Sequence, residues 1–584
     1  MTRLAGIVGI PPAEAARRTR AMLAPVGELG PDTAQEGGVT VCLAGTLFRP
    51  SGGAAVLLRL YRERGLHGAL RELNGDFSFA IADDNAGTLH LARDRFGVRP
   101  LYYWSAGGRL AFASRLRSLL ALPEVPRDID RTFAGLFAGS HYRTFDNDPE
   151  RSPFAAIRQL PAAHALTWKD GKASLHRYWQ LDAEEDLQWS EQEIAERYRD
   201  LLLDAVRIRL ARLPKAAFAL SGGMDSSSVL ASAVRLRGAR QQAFSTVYRD
   251  PTFDESEDIK PILEATVEKW HAVQVNDPDV HRLVKEMVAA HDEPVATATW
   301  LAHYVMCAEV KRQGFSAIFG GLGGDELNAG EYEHFFYFFA DLRARGLGPR
   351  LEREVEMWSR YHDHPIYRKS RETMERDLAR LTDPAVPGRC LPDRARLERY
   401  AVAVDPAFFD VRGFAPVMEA PFSSYLKNRT WQDLSRETIP CCLRAEDRQS
   451  AAFGLVNAVP FFDHRLAELM FRVPPALKYC DGVTKHMLRA AMAGVLPEPT
   501  RTRVKKTGWN APAHVWFAGP GREVVADLVA SRRFRERGIY DVARVERLLD
   551  EHDEIVRTGR PVDNHMMFFW QLVNLELWLE WNDG

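Results

Sequence analysis

The sequence predicts two domains of different class. An N-terminal α+β domain built on antiparallel sheets in two layers is followed by a larger α/β domain with a parallel sheet and extra helices. Three observations predict this. Short β-like runs joined by Gly and Asp turns fill the chain to about residue 180. From Ala216 the pattern becomes strand, Gly turn, helix, the signature of a parallel sheet. From about residue 330 the signal is mostly helical, and the 584 residues leave room for two large domains.

Residues 37–47 alternate around Val39, Val41 and Leu43, as a half-buried strand does. Residues 77–82 form a second strand, ended by the turn-prone run 83–87. Residues 89–92, 101–104 and 110–113 follow, the last two joined by Gly107-Gly108. The polar run 182–186 separates domains expected at 1–180 and 190–584. Ser190-Glu191-Gln192-Glu193 reads as a capping box that opens a helix to about Leu213. Residues 216–220 are a strand, Ser221-Gly222-Gly223 its turn, and a helix runs on through Leu236. Residues 243–248 and 317–319 are later strands. Trp570, Leu572, Leu575, Leu577, Trp578 and Trp581 predict a packed amphipathic helix near the C-terminus.

Composition excludes several classes. Lys plus Arg number 77 against 79 Asp plus Glu, a balance foreign to nucleic-acid binders. The apolar run Met566-Met567-Phe568-Phe569-Trp570 falls far short of the ~20 residues a membrane span needs. The first ten residues lack the apolar stretch of a secretory signal. Six scattered cysteines, none in a C-x-x-C pair, read as reduced thiols of a cytoplasmic protein. The sequon Asn428-Arg429-Thr430 is then idle. His362-Asp363-His364 has no third ligand at metal-site spacing and reads as a hydrogen-bonding loop.

The sharpest motif is Ser221-Gly222-Gly223-Met224-Asp225-Ser226, between a buried-type strand and a helix. Glycines admit an anion close to the backbone, and helix N-terminal amides point donors at it. Asp225 suits Mg²⁺ on phosphates. A second acidic turn, Gly320-Gly321-Leu322-Gly323-Gly324-Asp325-Glu326, also follows an apolar strand, so two carboxylates at neighbouring strand ends would clamp Mg-pyrophosphate. No Gly-x4-Gly-Lys loop of the Walker type is present.

This loop pair resembles the asparagine synthetase superfamily, which includes glutamine-hydrolysing asparagine synthetase, β-lactam synthetase and lasso-peptide cyclases. Residues 73–80 and 92–103 look like its amidotransferase domain. Glu446-Asp447-Arg448, residues 459–465 and Asp481-Gly482-Val483-Thr484-Lys485 look like its synthetase domain. The resemblance implies ATP and Mg²⁺, adenylation of a carboxylate with release of pyrophosphate, and attack by an amine or ammonia. It implies nucleotide contacts at Leu220, Ser221, Gly222, Gly223, Asp225, Ser226, Thr246, Gly321, Gly323, Gly324 and Asp325, with metal on Asp225 and Asp325. A catalytic lysine before a Gly-aromatic pair maps to Lys506, with Lys505 as runner-up. Substrates are small-molecule or peptide carboxylates and amines, and a family-like homodimer is the expectation.

The sequence departs from the pattern in two places. The glutaminase cysteine is missing: Thr2 lies near the start, and Ala5 stands where the cysteine would precede Gly6-Ile7-Val8-Gly9. The oxyanion pair becomes Ala44-Gly45, the amine-binding aspartate falls at about Gly53, and the pocket arginine becomes Leu29. A relic domain that hydrolyses no glutamine is expected. In the second loop Leu322 replaces an acidic or tyrosine residue, and Val456-Asn457-Ala458 replaces Glu-x-Arg. Both disfavour aspartate and favour a specialised ligase closing a peptide or lactam ring, with ammonia-dependent asparagine synthetase as the alternative. An inactive nucleotide-binding or partner protein is the alternative of another class. Glu331, Tyr332 and Glu333 read first as surface helix residues and second as a replacement base, and Glu293 as a residue facing the substrate.

Overall fold

The structure, a computed structural model, describes residues 3–26, 30–181, 186–361, 368–504 and 511–583. Two antiparallel sheets stand first. One has the order Ala5–Val8, Arg109–Ala113, Tyr102–Ala106, Arg158–Gln159. The other runs Lys172–Arg177, His164–Lys169, Thr88–Arg93, Asn74–Asp83, Val39–Arg49, Asp32–Glu36.

Period-2 alternation sorts their side chains. Ala80, Leu91, Tyr103, Leu110 and Phe112 meet in the core between the two sheets. Phe77, Phe79 and Ile81 point the other way, onto helix Ala54–Glu72. Tyr102, Trp104 and Ala111, on the outer face of the smaller sheet, join the core of the second domain. The two-layer expectation holds, and that outer face is where the domains join.

The 92–103 motif builds this join. Buried Asp94 accepts the backbone N–H groups of Phe77, Val98 and Arg99, folding the loop around itself. Arg93 donates to the carbonyls of Arg99, Leu160 and Gly97. A side chain at Gly97 (φ 71°) would strike that guanidinium at 2.8 Å, so glycine is required. Thus held, Arg99 reaches across to Asp447 at 2.5 Å. Arg115 pairs with Asp292 at 2.7 Å, and Asn74 donates to Asp463 at 3.0 Å. All six of these side chains are buried.

The second domain carries a five-stranded parallel sheet in the order Val267–Gln274, Gln241–Val247, Ala216–Ala219, Ala317–Phe319, Val456–Ala458. Both faces are covered: Ala217, Phe244 and Ile318 pack to one side, Phe218, Ala243 and Phe319 to the other. Helix Glu191–Leu210 starts at the expected capping box, Ser190 and Glu193 bonding reciprocally, and stops three residues before Leu213.

Helix Met566–Asp583 corrects the amphipathic expectation. Its residues 568–579 are all buried, polar ones included. Gln571 donates to the carbonyls of Phe137 (2.7 Å) and Ser140 (2.8 Å), Asn574 accepts Val295 N–H, and Glu576 pairs with Arg537 at 2.5 Å. Buried polar groups with partners are tolerated, so this helix has no water-facing side. The six cysteines are free thiols. No described helix is long and apolar enough to cross a membrane.

Candidate active site

Three neighbouring strand ends build the site. After strand Ala216–Ala219, Ser221 and Ser226 share a hydroxyl contact of 3.0 Å, and Ser226 Oγ also accepts Ser221 N–H at 3.1 Å. Gly223 N–H donates to Ser221 Oγ at 3.2 Å, closing a tight loop at the N-terminus of helix Met224–Arg237. Asp225 sits in the first turn of that helix. Beside it, Thr246 lies on strand Gln241–Val247, and Ser245 Oγ donates to Leu220 O at 2.6 Å.

The second loop follows strand Ala317–Phe319 and presses on the first. A Cβ on Gly321 would lie 2.5 Å from Ser226 N, and one on Gly324 would overlap the Asp225 carboxyl. These glycines let two acidic loops touch, which side chains would prevent. Asp325 then opens helix Gly324–Asn328.

Asp225 and Asp325 meet on a single ammonium. Lys485 Nζ bonds Asp225 Oδ2 and lies 2.7 Å from Asp325 Oδ1. Lys485 is buried and holds φ +60°, an uncommon backbone for lysine. Two carboxylates on the wall of one cavity suit a hard cation such as Mg²⁺. Among the described residues no cluster of three or more His, Cys, Asp or Glu side chains is arranged to hold a metal. His362-Asp363-His364 lies outside the described residues.

A cavity of about 540 Å³ opens from both loops. Of the expected nucleotide residues, Leu220, Ser221, Gly223, Asp225, Ser226, Thr246, Gly321, Gly323 and Asp325 line it, whereas Gly222 and Gly324 do not. Gly222 instead donates to Glu255 at 3.3 Å, and its carbonyl accepts from Arg503. Lys505 and Lys506 lie outside the described residues. Arg503, just before them, also pairs with Asp258 at 2.8 Å.

The cavity runs past Leu322 to Trp300, Met306, Tyr142, Tyr400, Met566 and Met567. Glu446 forms part of its wall. Asn457 donates to Glu446 Oε2 at 2.7 Å, while Oε1 faces the second loop, 3.7 Å from where a Gly320 Cβ would stand. Burial raises the Glu446 carboxyl to about 7, partly offset by the Asn457 hydrogen bond. Glu326 is also buried and is pushed well up by burial and by Asp325.

Several expectations are corrected here. Glu293 does not line this cavity; it is buried against Arg444 at 2.8 Å. Glu331 does line it, but Tyr332 packs on the Trp358 cluster, and Glu333 is buried between Arg143 and Arg396. None of the three is a plain surface helix residue. Lys485 and Glu446 fall in stretches the sequence marked only by resemblance, without a role. Two adjacent carboxylates, Glu446 and Asp447, within the buried stretch of helix Thr438–Ala452 were the signal for Glu446.

At the glutaminase end, the described positions are packed against their neighbours. Ala44 is buried in strand Val39–Arg49. The Phe112 ring lies against Gly6, 2.5 Å from a would-be Cβ. Asp32 crowds Gly53 and accepts Ala54 N–H at 2.8 Å, at the start of helix Ala54–Glu72. Thr2 and Leu29 lie outside the described residues.

Two family models match the chain. The family model "Asparagine synthase" matches residues 197–580, and "Glutamine amidotransferase domain" matches residues 41–179. Among curated relatives, asparagine synthetase [glutamine-hydrolyzing] 3 of Bacillus subtilis is 27% identical over 79% of this chain and 71% of its own. Asparagine synthetase [glutamine-hydrolyzing] 1 of the same organism is 24% identical over 91% and 82%. Amidase chry2 of Gibberella zeae is 24% identical over 85% and 78%. The chain therefore belongs to the asparagine synthase family, as an ATP-dependent carbon–nitrogen ligase preceded by a glutamine amidotransferase-like domain.

Proposed function

We propose that the protein adenylates a carboxylate with ATP and Mg²⁺ and joins it to an amine or ammonia without hydrolysing glutamine. Its setting would be specialised metabolism, such as peptide (lasso) or lactam ring closure. The observation that carries this reading is the convergence of Asp225 and Asp325 on Lys485 where two Gly loops touch.

In this reading the substrate carboxylate oxygen attacks the α-phosphorus and pyrophosphate leaves. Leu220, Ser221, Gly223, Ser226, Thr246, Gly321 and Gly323 would cradle the nucleotide, while Gly222 and Gly324 serve the packing of the loops behind it. Mg²⁺, held by Asp225 and Asp325, would neutralise phosphate charge. The Lys485 ammonium and the amides opening helix Met224–Arg237 stabilise negative charge on the leaving group. Lys506, or Lys505, adds a cation from the stretch that Arg503 fastens to the first loop.

The amine then attacks the acyl carbon, loses a proton, and AMP departs. Leu322 cannot take that proton. We assign it to Glu446, whose pKa near 7 suits a general base and whose Oε1 faces the second loop. Asn457, the departure from the family pattern, holds its other oxygen.

Pyrophosphate release tests the reading. Wild type, given ATP, Mg²⁺ and a panel of carboxylates with amines, should release it, and Asp225→Ala should not. Unchanged turnover in Asp225→Ala would overturn the assignment, and no release with any pair would favour a non-catalytic nucleotide-binding protein. Asparagine formed from aspartate and ammonium would instead support the second reading, which the relatives' names favour. A cytoplasmic homodimer, with domains divided between residues 180 and 190, completes the proposal. Sedimentation of the purified protein tests the dimer.

A further inference from the structure

The amidotransferase-like domain grips the helix that carries Glu446. Helix Thr438–Ala452 is buried over most of its length, and three of its side chains reach into residues 41–179. Arg444 makes two bonds to Asp146, at 2.7 and 3.1 Å. Asp447 accepts from Arg99 at 2.5 Å, and Arg448 donates to the Ser114 carbonyl at 2.7 Å. At about 3.6 residues per turn, positions 444, 447 and 448 share one face of the helix, whereas 446 points roughly 150° away from their mean direction. On that opposite side Glu446 meets the cavity. The helix is therefore held from one domain on one face and presents a carboxyl to the other domain's site on the other.

Arg99 has a second hold on the same carboxyl. Its guanidinium donates to the Asn457 backbone carbonyl at 3.4 Å, and the Asn457 side chain is the donor that fixes Glu446 Oε2 at 2.7 Å. One planar fork thus ties the residue beside Glu446 and the residue that holds Glu446. Other buried links between the domains differ in this respect. Asn74 bonds Asp463 and Arg115 bonds Asp292, and neither carboxylate lines the cavity.

We infer that Arg99 is a positioning residue for the Glu446 carboxyl, so that the amidotransferase-like domain supports the ligase site. Glu446 is a base only on the ligase reading, whereas the coupling of Arg99 to its carboxyl stands apart from that reading. Arg99→Lys keeps a cation for Asp447 but gives up the two directed bonds of the fork. Asn457 would then shift, and the Glu446 carboxyl with it.

Two measurements on the whole protein test this. Infrared difference spectra without substrates, between about pH 5 and about pH 8, bracket the Glu446 titration and should contain a carboxyl band that Glu446→Gln removes. Arg99→Lys should shift that band. Asn74→Ala, which removes an interface bond that does not touch helix Thr438–Ala452, should leave it in place. Asp447→Asn loosens the same hold from the other side and should act as Arg99→Lys does, which keeps the test open should one of the two fail to fold. The second measurement uses the carboxylates with which wild type releases pyrophosphate. Arg99→Lys should lower amide formation from amines about tenfold or more, since a misplacement of about 1 Å can cost up to about 10²-fold. Hydroxylamine is uncharged at neutral pH and needs no base, so it should still give hydroxamate and AMP at the wild-type rate. No band that Glu446→Gln removes, a band unmoved in Arg99→Lys and Asp447→Asn, or one moved equally by Asn74→Ala, overturns the positioning. Equal loss of hydroxamate and amide formation in Arg99→Lys also overturns it and leaves the ligase reading intact. No pyrophosphate release by wild type, with the band shifted by Arg99→Lys alone of the two interface variants, overturns the ligase reading and leaves the coupling standing.

Discussion

Replacing Glu446 by Gln should stabilise the protein above neutral pH while disabling amide formation. The wild-type carboxyl is raised from an ordinary 4.5 to about 7 by burial. At about 1.4 kcal/mol per tenfold, keeping it ionised costs about 3 kcal/mol. The native state holds this proton more tightly than the unfolded chain. Native stability therefore falls as pH rises from about 4.5 to about 7, and the cost is complete above that. Gln keeps an oxygen for the Asn457 N–H and carries no charge. Urea denaturation at pH 8 should show Glu446→Gln more stable by up to about 3 kcal/mol, shrinking towards zero near pH 5. The same variant should lose about 10²–10⁴ in amide formation, the range of general-base catalysis. Amide formation by wild type should rise with pH through about 7. Equal stability of the two proteins at pH 8, together with unimpaired amide formation, would refute both the burial argument and the role of base.

Lys485→Met should lower pyrophosphate release by about 10²–10³, the usual loss when a charge-stabilising donor is removed; steady-state rates at saturating ATP check this. No glutamate should form from glutamine, with or without ATP, and Thr2→Ala should change nothing; glutamate released by wild type and lost in Thr2→Ala would show a working glutaminase. Arg99→Ala leaves Asp447 buried against the domain interface and should cost about 3–5 kcal/mol in denaturant unfolding. The double variant with Asp447→Asn should recover part of that loss.

What could be read from the sequence was what local geometry demands. Two acidic turns must be glycine-rich to touch, so residues 221–226 and 320–326 announced themselves, and so did the strands that feed them. Strand Val267–Gln274 stayed hidden because it lies at the sheet edge, where Glu268 and Lys269 face water and break the apolar run. Strand Val456–Ala458 is three residues long and carries no period. Gln571, Asn574 and Glu576 interrupt the apolar run of helix Met566–Asp583 on different sides, and only their distant partners reveal that they are buried. Lys485 and Glu446 were recognisable as parts of motifs, but their roles depend on loops more than 100 residues away. Their chemistry arises from folding and leaves no spacing to read.

The attachment of Gln571 to Phe137 spans 434 residues and fixes one wall of the cavity. During synthesis, the segments around both acidic loops emerge long before Met566 and Met567 exist. A nascent chain could thus fold its acidic loops while the wall that carries both methionines is still unmade. Contacts of such long range form slowly and late. The acidic loops and the closed cavity should accordingly appear in that order during refolding.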